Sequence, residues 1–503
     1  MTAILAVDLG TSRIRSGLFD RDGRCLSVAA REYPIKTPSH GAAEQDPLAW
    51  KEGFFFTVRD VVSNSKDLPI EGICFSGQMH GTVLLGHEGA PLCDAIIWCD
   101  QRGGGAAKWM LDQTGPARYA RITGNPLATG FQAATLCDLK RREPQLFQRI
   151  GHVLLPKDYL IANLTGEKVS EPTDAASTGL LDLGLPSGES IEWSRDLLDL
   201  LGLSSDQMPR LVSSLLPKGE GGQGPLCLNK SAARASGLPS GLPILAMGGD
   251  AVLGGALVMG ENREGDAIGL ISSGGQLLVS RNHPCPNSEQ GIHLLPQMTP
   301  GRWFSMAAFL AAGLSLEWWR GAMAGMAGRE VSITEMLEAA ATVPSGSEGL
   351  CFLPHIAGER TPSLDPEARG AFWGMSRSHG MGHFTRAILE GVAFSFRLGV
   401  EILEKSGGPL RSFSLGGGGV KSLLWRQIFA DTLQREVRTL AEVAETSLAG
   451  AAYAGAQALG WDLAAWVPKT NAGCQPDPGQ AKALESNYRQ FVEMAPLLRR
   501  VRG

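Results

Sequence analysis

Residues 4–19 read ILAVDLGTSRIRSGLF. An apolar run ends on one carboxylate, Asp8. A turn of small residues, Gly10-Thr11-Ser12, follows, and a second strand-like run covers Arg15–Phe19. Asp22-Gly23 then turns the chain into a third run, Cys25–Ala30, so the chain is predicted to open with a strand meander. Residues 266–280, DAIGLISSGGQLLVS, repeat the pattern as strand, small-residue turn Ser272-Ser273-Gly274-Gly275, and strand. The echo raises the question of a duplicated fold.

Between the two units the pattern changes. Residues 46–62 have helical periodicity, IEGICFSG at 70–77 is a short strand, and helix-like and strand-like segments alternate to about 180. Such alternation predicts an α/β layer architecture. Residues 213–242 are rich in Gly, Pro and Ser and mark a linker or surface excursion. GEGGQG at 219–224 matches G-x-G-x-x-G but neither follows a strand nor opens a helix, so it is assigned to a loop. A second half opens with the strand LPILAMGG at 242–249. Helices are predicted over 306–325, 331–343, 383–405, 422–434 and 445–459, the last dense in small residues that permit close packing.

The bulk numbers set the class. A chain of 503 residues is too long for one ordinary core. With 43% hydrophobic and 19% charged residues it has a globular composition. A net charge of −5 argues against a nucleic-acid partner, and no stretch reaches the length of a membrane span. MTAILAVDLG lacks the basic start of a signal peptide, so a cytoplasmic location is expected. The nine cysteines contain no CxxC pair, which predicts reduced thiols rather than disulfides or a zinc site.

Several residues stand out chemically. In MGGDAVLGGALVMG, residues 247–260, Asp250 is the one charge between Arg234 and Glu261. It either caps the following helix or serves as a base that glycines leave open to a substrate. No Walker-type phosphate loop occurs, but the turns at Gly10-Thr11-Ser12 and Ser272-Ser273-Gly274 offer amides and hydroxyls with little bulk. Each is either a phosphate cradle or an ordinary hairpin. Asp8, at the end of a buried strand, either holds Mg²⁺ through water or caps the turn. SFSLGGGGVKSLLWRQIFAD, residues 412–431, sets four glycines between a strand and a helix, where a ligand can approach backbone. In GQMHG at 77–81, His80 is either a structural histidine or a donor to a substrate hydroxyl. In IIWCDQR at 96–102, Trp98, Asp100 and Arg102 are either ligand contacts or a local ion pair beside a packed indole.

Taken in order, these motifs resemble the FGGY carbohydrate kinases, and within them the xylulokinase branch. AVDLGTS resembles the first phosphate hairpin of the family, and SGQMHG its pentulose-contact motif. LLPKDYLIANLTGE with PTDAAS (172–177), FLPHIAGERTP, GAFWGMSRSHGMGHFTRAILE (370–390) and LGGGGVKSLLWRQIFAD extend the likeness along nearly the whole chain.

The resemblance implies two actin-like (ribonuclease H-like) α/β domains, 1–246 and 247–503, flanking a nucleotide cleft. It implies phosphorylation of a small ketose, with D-xylulose going to D-xylulose 5-phosphate at the expense of ATP. The same reaction on 1-deoxyxylulose, ribulose or glycerol, or a non-catalytic sugar binder, is the alternative. By the same resemblance Asp250 is the base, and Asp8 and Asp250 are metal-associated. Met79, His80, Trp98, Asp100 and Asp250 contact sugar. Gly10, Thr11, Ser12, Arg15, Ser272, Ser273, Gly274, Gly313 and Gly417–Gly419 hold the nucleotide. The expected partners are Mg²⁺, ATP and the sugar, and a homodimer is a family-level expectation.

Four departures are visible. Ala251 stands where the family has Asn or Gln after the base, and Ser272-Ser273 where it has Gly-Thr. Thr135 and Asp138 replace a Lys and a Trp, and Cys99 replaces the Asn before Asp100. None removes the base or the metal-associated aspartate.

Overall fold

The computed structural model describes residues 2–64, 68–188, 190–213, 226–260, 263–439, 446–466, 471 and 473–502. Two sheets organise them. The first has five strands: β1 (Ala3–Leu9), β2 (Arg13–Asp20), β3 (Cys25–Glu32), β4 (Ile70–Gly77) and β5 (Ile244–Gly249), ordered β5-β4-β1-β2-β3. The second has six: β6 (Asp266–Ile271), β7 (Gly275–Arg281), β8 (His293–Pro296), β9 (Trp303–Phe309), β10 (Ser412–Gly417) and β11 (Arg438–Thr439), ordered β8-β9-β7-β6-β10-β11.

Without β8, the two orders match strand for strand. β1 runs antiparallel to β2 and parallel to β4, and β6 runs antiparallel to β7 and parallel to β10. The outer pairs agree as well, with β4–β5 and β10–β11 parallel and β2–β3 and β7–β9 antiparallel. The echo between residues 4–19 and 266–280 is therefore the central hairpin of a duplicated fold.

Helices cover the sheets. Helix α1 (Pro47–Ser63), capped by Asp46 accepting from the Leu48 N–H, buries Trp50, Phe54 and Val58 in the core of the first sheet. On a separate core, α2 (Asp250–Met259) and α6 (Thr446–Ala458) bring Leu253, Leu257, Leu448, Ala451 and Ala454 against Ile4, Ala6 and Cys74. Small residues make this approach possible. A Cβ on Gly450 would fall 2.4 Å from the Leu253 carbonyl oxygen, and one on Gly455 would fall 1.9 Å from Cys74 Sγ. The second sheet packs on the long α4 (Met381–Gly407) through Ala393, Phe396 and Val400.

Three expectations need correction. The strand at 244–249 pairs with β4 of the first sheet, so a boundary at 246/247 cuts through a strand; parallel pairing to a distant strand leaves no local trace. Residues 303–309 form β9, with α3 (Gly313–Ala327) beginning only afterwards, whereas helix was expected from 306. The Met-Ala-Ala run there has helical propensity, and pairing with β7 overrides it. In the 213–242 segment, GEGGQG lies outside the described residues, and Lys230–Ser236 form a helix capped by the Asn229 side chain. All nine cysteines are free thiols. Among the described residues no helix is long and apolar enough to cross a membrane.

Candidate active site

The turns that join the equivalent hairpins have the same construction. In the β1–β2 turn, the carbonyls of Thr11 and Ser12 accept from Gln45 Nε2 (2.6 Å) and the Tyr33 N–H (3.2 Å), and the Tyr33 hydroxyl donates to the Gly10 carbonyl. Thr11 Oγ1 accepts from the Trp98 indole N–H at 3.0 Å. In the β6–β7 turn, Ser272 and Ser273 carbonyls accept from the N–H groups of Gly313 (2.8 Å), Ala312 (2.9 Å) and Leu314 (2.9 Å). Protein donors thus occupy the carbonyl side of both turns. Among the described residues, the N–H groups of Thr11, Ser12, Ser273 and Gly274 have no protein acceptor. Backbone amides left this way suit an anion.

Gly313 is fixed by this packing, since a Cβ there would lie 2.5 Å from the Ser272 carbonyl oxygen. Gly313→Ala is therefore expected to displace the second turn and, on the nucleotide role the resemblance implies for that turn, to raise KM for ATP about 10-fold or more, with sugar affinity unchanged. Steady-state kinetics with each substrate varied separates the two. The third glycine feature closes the same side. Gly417 sits at φ +86, where a Cβ would fall 2.3 Å from the Ile271 oxygen, whereas Gly418 faces open space. Residues Gly418–Lys421 form a short 3₁₀ turn leading into α5 (Leu423–Leu433).

The carboxylates stand near the ends of β1 and β5 in the first sheet. Asp8 is opposite Arg15 in the hairpin register, and Arg15 Nη1 lies 3.2 Å from Asp8 Oδ2. Asp250, partly buried, is the first residue of α2 rather than its cap. Its Oδ1 accepts from the Ala251 N–H at 2.7 Å and from no later turn of the helix, so the simple capping role is not what the geometry shows. Burial pushes the Asp250 carboxyl up to about 7, and the charges of Asp8 and Asp174 push the same way against the Ala251 N–H. The Asp8 charge thus acts on Asp250, and a divalent cation held by the two would relieve that repulsion. One or two carboxylates completed by phosphate oxygens is the habitual donor set of Mg²⁺.

The other expected sugar contacts fall into two groups. Met79 packs against Gly249, where a Cβ would come 2.3 Å from Met79 Cγ, directly before Asp250. His80 stacks on Phe131, with ring centroids 4.3 Å apart, and its φ is +69. His80 Nδ1 lies 2.7 Å from the Ser177 carbonyl oxygen, which can only accept, so Nδ1 carries the proton. Burial first, and the charge of Arg360 second, lower the His80 pKa to about 3. The ring is neutral, and Nε2 can accept a hydrogen bond from a substrate hydroxyl but cannot donate one. This reverses the donor role expected from sequence.

Asp100, in contrast, takes the structural alternative. Its oxygens accept from the N–H groups of Ala43 and Arg102 (both 2.9 Å) and from Arg102 Nε, while Arg102 also reaches Glu44 at 2.6 Å. Trp98 alone of that trio reaches the β1–β2 turn, through Thr11.

Sequence reasoning passed over a buried charge network beneath the site. Lys157, fully enclosed, lies 2.6 Å from Asp158 and 3.0 Å from Asp174. Ser177 Oγ, which accepts from the His80 N–H at 3.3 Å, donates to Asp174 Oδ1 at 3.3 Å. Burial raises the carboxyls of Asp158, Glu171 and Asp174; it would lower Lys157, but those three carboxylates hold it above its ordinary value. The signal was available: Lys157 and Asp158 interrupt the apolar run LLPKDYLIANL as Asp250 interrupts its own.

Residues 3–256 match the N-terminal domain of the FGGY family of carbohydrate kinases, and residues 272–459 match its C-terminal domain. A xylulose kinase of Lactococcus lactis subsp. lactis (strain IL1403) is 35% identical over 423 residues, covering 83% of this chain and 80% of that one. A gluconokinase of Bacillus subtilis (strain 168) is 26% identical over 467 residues, covering 91% and 88%. A crystal structure described as a xyloylose kinase from Brucella ovis superposes with a TM-score of 0.90 at 30% identity, covering 99% of this chain and 100% of that one.

Proposed function

The chain belongs to the FGGY family of carbohydrate kinases and is an enzyme that phosphorylates a sugar, and from that premise we propose that its acceptor is D-xylulose, converted to D-xylulose 5-phosphate with ATP as donor. The observation that carries the mechanism is Asp250: a carboxyl held near 7, at a helix start, among glycines and beside Asp8. A sugar hydroxyl is a weak nucleophile, and a base poised near the working pH accepts its proton as the γ-phosphoryl moves in line. The free amides of the two hairpin turns would bind phosphate oxygens, and the Gly417–Gly419 turn would lie against the nucleoside. Asp8 and Asp250 would hold Mg²⁺, which supplies charge neutralisation on the phosphates. Met79, His80 and Trp98 would line the acceptor, with His80 Nε2 taking a hydrogen bond from a hydroxyl. Several relatives carry the name xylulose kinase, which supports the ketose; the gluconokinase relative keeps a sugar acid as the competing acceptor.

The base must be ionised to act. In the free enzyme Asp250 titrates near 7, so kcat/KM for the sugar is expected to rise with pH and level off above that midpoint. His80, already neutral, contributes no limb. Removing the neighbouring anion with Asp8→Asn is expected to move the midpoint of any residual activity downward. A limb unmoved in that variant, or one centred near an ordinary carboxyl value, would detach the profile from Asp250. The product test is phosphorus NMR of the sugar formed from D-xylulose: phosphate on the C5 oxygen supports the proposal, and inorganic phosphate alone refutes it.

A further inference from the structure

Among the described residues two arginines, Arg281 and Arg386, are buried, and both donate to protein acceptors. Arg281 donates to the Gly407 (2.7 Å) and Leu403 (2.9 Å) carbonyls, and Arg386 donates to Glu390 (2.8 Å), the Val343 carbonyl (2.9 Å) and Ser345 Oγ (2.6 Å). Arg360 is half-buried, and among the described residues its guanidinium makes no hydrogen bond or ion pair. It lies over the face of Phe131, 6.0 Å from the ring centroid. That is the ring on which His80 stacks, and His293 tilts against it at 5.6 Å. The His293 Nε2 atom is itself buried without a partner. The charge of Arg360 lowers the pKa of both histidines.

The backbone aims this side chain firmly. Next to it, Thr361 is locked to β9 by its N–H to the Ala308 oxygen (3.1 Å) and by its Oγ1 accepting from the Ala308 N–H (3.0 Å). Asn125 clasps both backbone groups of Leu294, at 2.9 and 3.0 Å, and so fixes His293 beside Phe131. A half-buried guanidinium with no protein acceptor keeps its donors open to water or to a ligand.

The order of contacts gives the geometry. Asp250 follows Gly249, a Cβ on Gly249 would meet Met79, His80 comes next, and Phe131 touches both His80 and Arg360. Arg360 and the base are therefore the two ends of one chain of contacts. Resting on the ketose reading above, we infer that Arg360 is a specificity residue. Its guanidinium donates to the oxygen on the acceptor carbon farthest from the phosphorylated hydroxyl, and so selects sugars oxygenated at that end.

The test compares D-xylulose with 1-deoxy-D-xylulose, which lacks only that oxygen, in wild type, Arg360→Met and Arg360→Lys. Wild type is expected to prefer D-xylulose in kcat/KM by about 10-fold or more. Arg360→Met is expected to bring the two substrates within about threefold of each other by losing activity on D-xylulose alone. Arg360→Lys keeps the stem over Phe131 and is expected to fall between. Equal losses on both substrates, or an unchanged ratio, would make Arg360 a packing element and overturn the inference. If Arg360→Met does not fold, as judged by its melting curve, the ratio in Arg360→Lys decides alone. If wild type turns over neither ketose, the acceptor reading fails instead. The same ratio is then taken for the best acceptor found and its analogue deoxygenated at the distal carbon.

Discussion

Asp250→Asn is expected to lower kcat by about 10³-fold or more while the sugar dissociation constant stays within a few-fold, because the amide keeps the shape but cannot accept the proton. The same variant is expected to be more stable than wild type at neutral pH. The sign follows from the raised pKa: a carboxyl titrating near 7 in the fold and near 4 in the unfolded chain destabilises the fold progressively as pH rises through that window. The Tm advantage of Asp250→Asn should therefore be largest above pH 7 and shrink as the pH falls toward 4. Loss of activity with higher stability is the signature of a group held for chemistry. Loss of both would mean that the carboxylate is a structural element.

Lys157→Met carries the opposite signature. Removing the cation enclosed with Asp158, Asp174 and Glu171 leaves buried carboxylates uncompensated, and breaking a buried pair in this way costs about 3–5 kcal/mol. The variant is expected to melt far below wild type or to fail to accumulate in folded form. Adding Asp174→Asn should recover part of the loss, since it removes one of the stranded charges. Chemical denaturation of the single and double variants measures both terms. If Lys157→Met were as stable as wild type, the network would not support the His80 turn as described.

What the sequence disclosed and what it hid divide along physical lines. The duplicated hairpins were legible because strand, turn and strand lie within about a dozen and a half residues, so their pattern is local. The pairing of β5 with β4 was not, because it joins segments that nothing between them announces. β9 was misassigned for a related reason: a Met-Ala-Ala run satisfies a helix equally well until a neighbouring strand claims it. Asp250 could be singled out because a lone charge in an apolar run needs explaining. Lys157 and Asp158 offered the same sign. Arg360 offered none, because Glu359-Arg360-Thr361 looks like ordinary polar surface until the fold lays it over Phe131. The direction of the His80 hydrogen bond likewise depends on the Ser177 carbonyl, a contact between residues far apart in the chain.

The measurement that tests the central claim most directly is ADP release from Mg-ATP, wild type against Asp250→Asn, across pentuloses, 1-deoxypentuloses, hexuloses, glycerol and gluconate. The account predicts release that depends on sugar, is fastest with D-xylulose, and is lost in Asp250→Asn. Silence across the whole panel from protein shown to bind ATP, or equal rates in the variant, would contradict it.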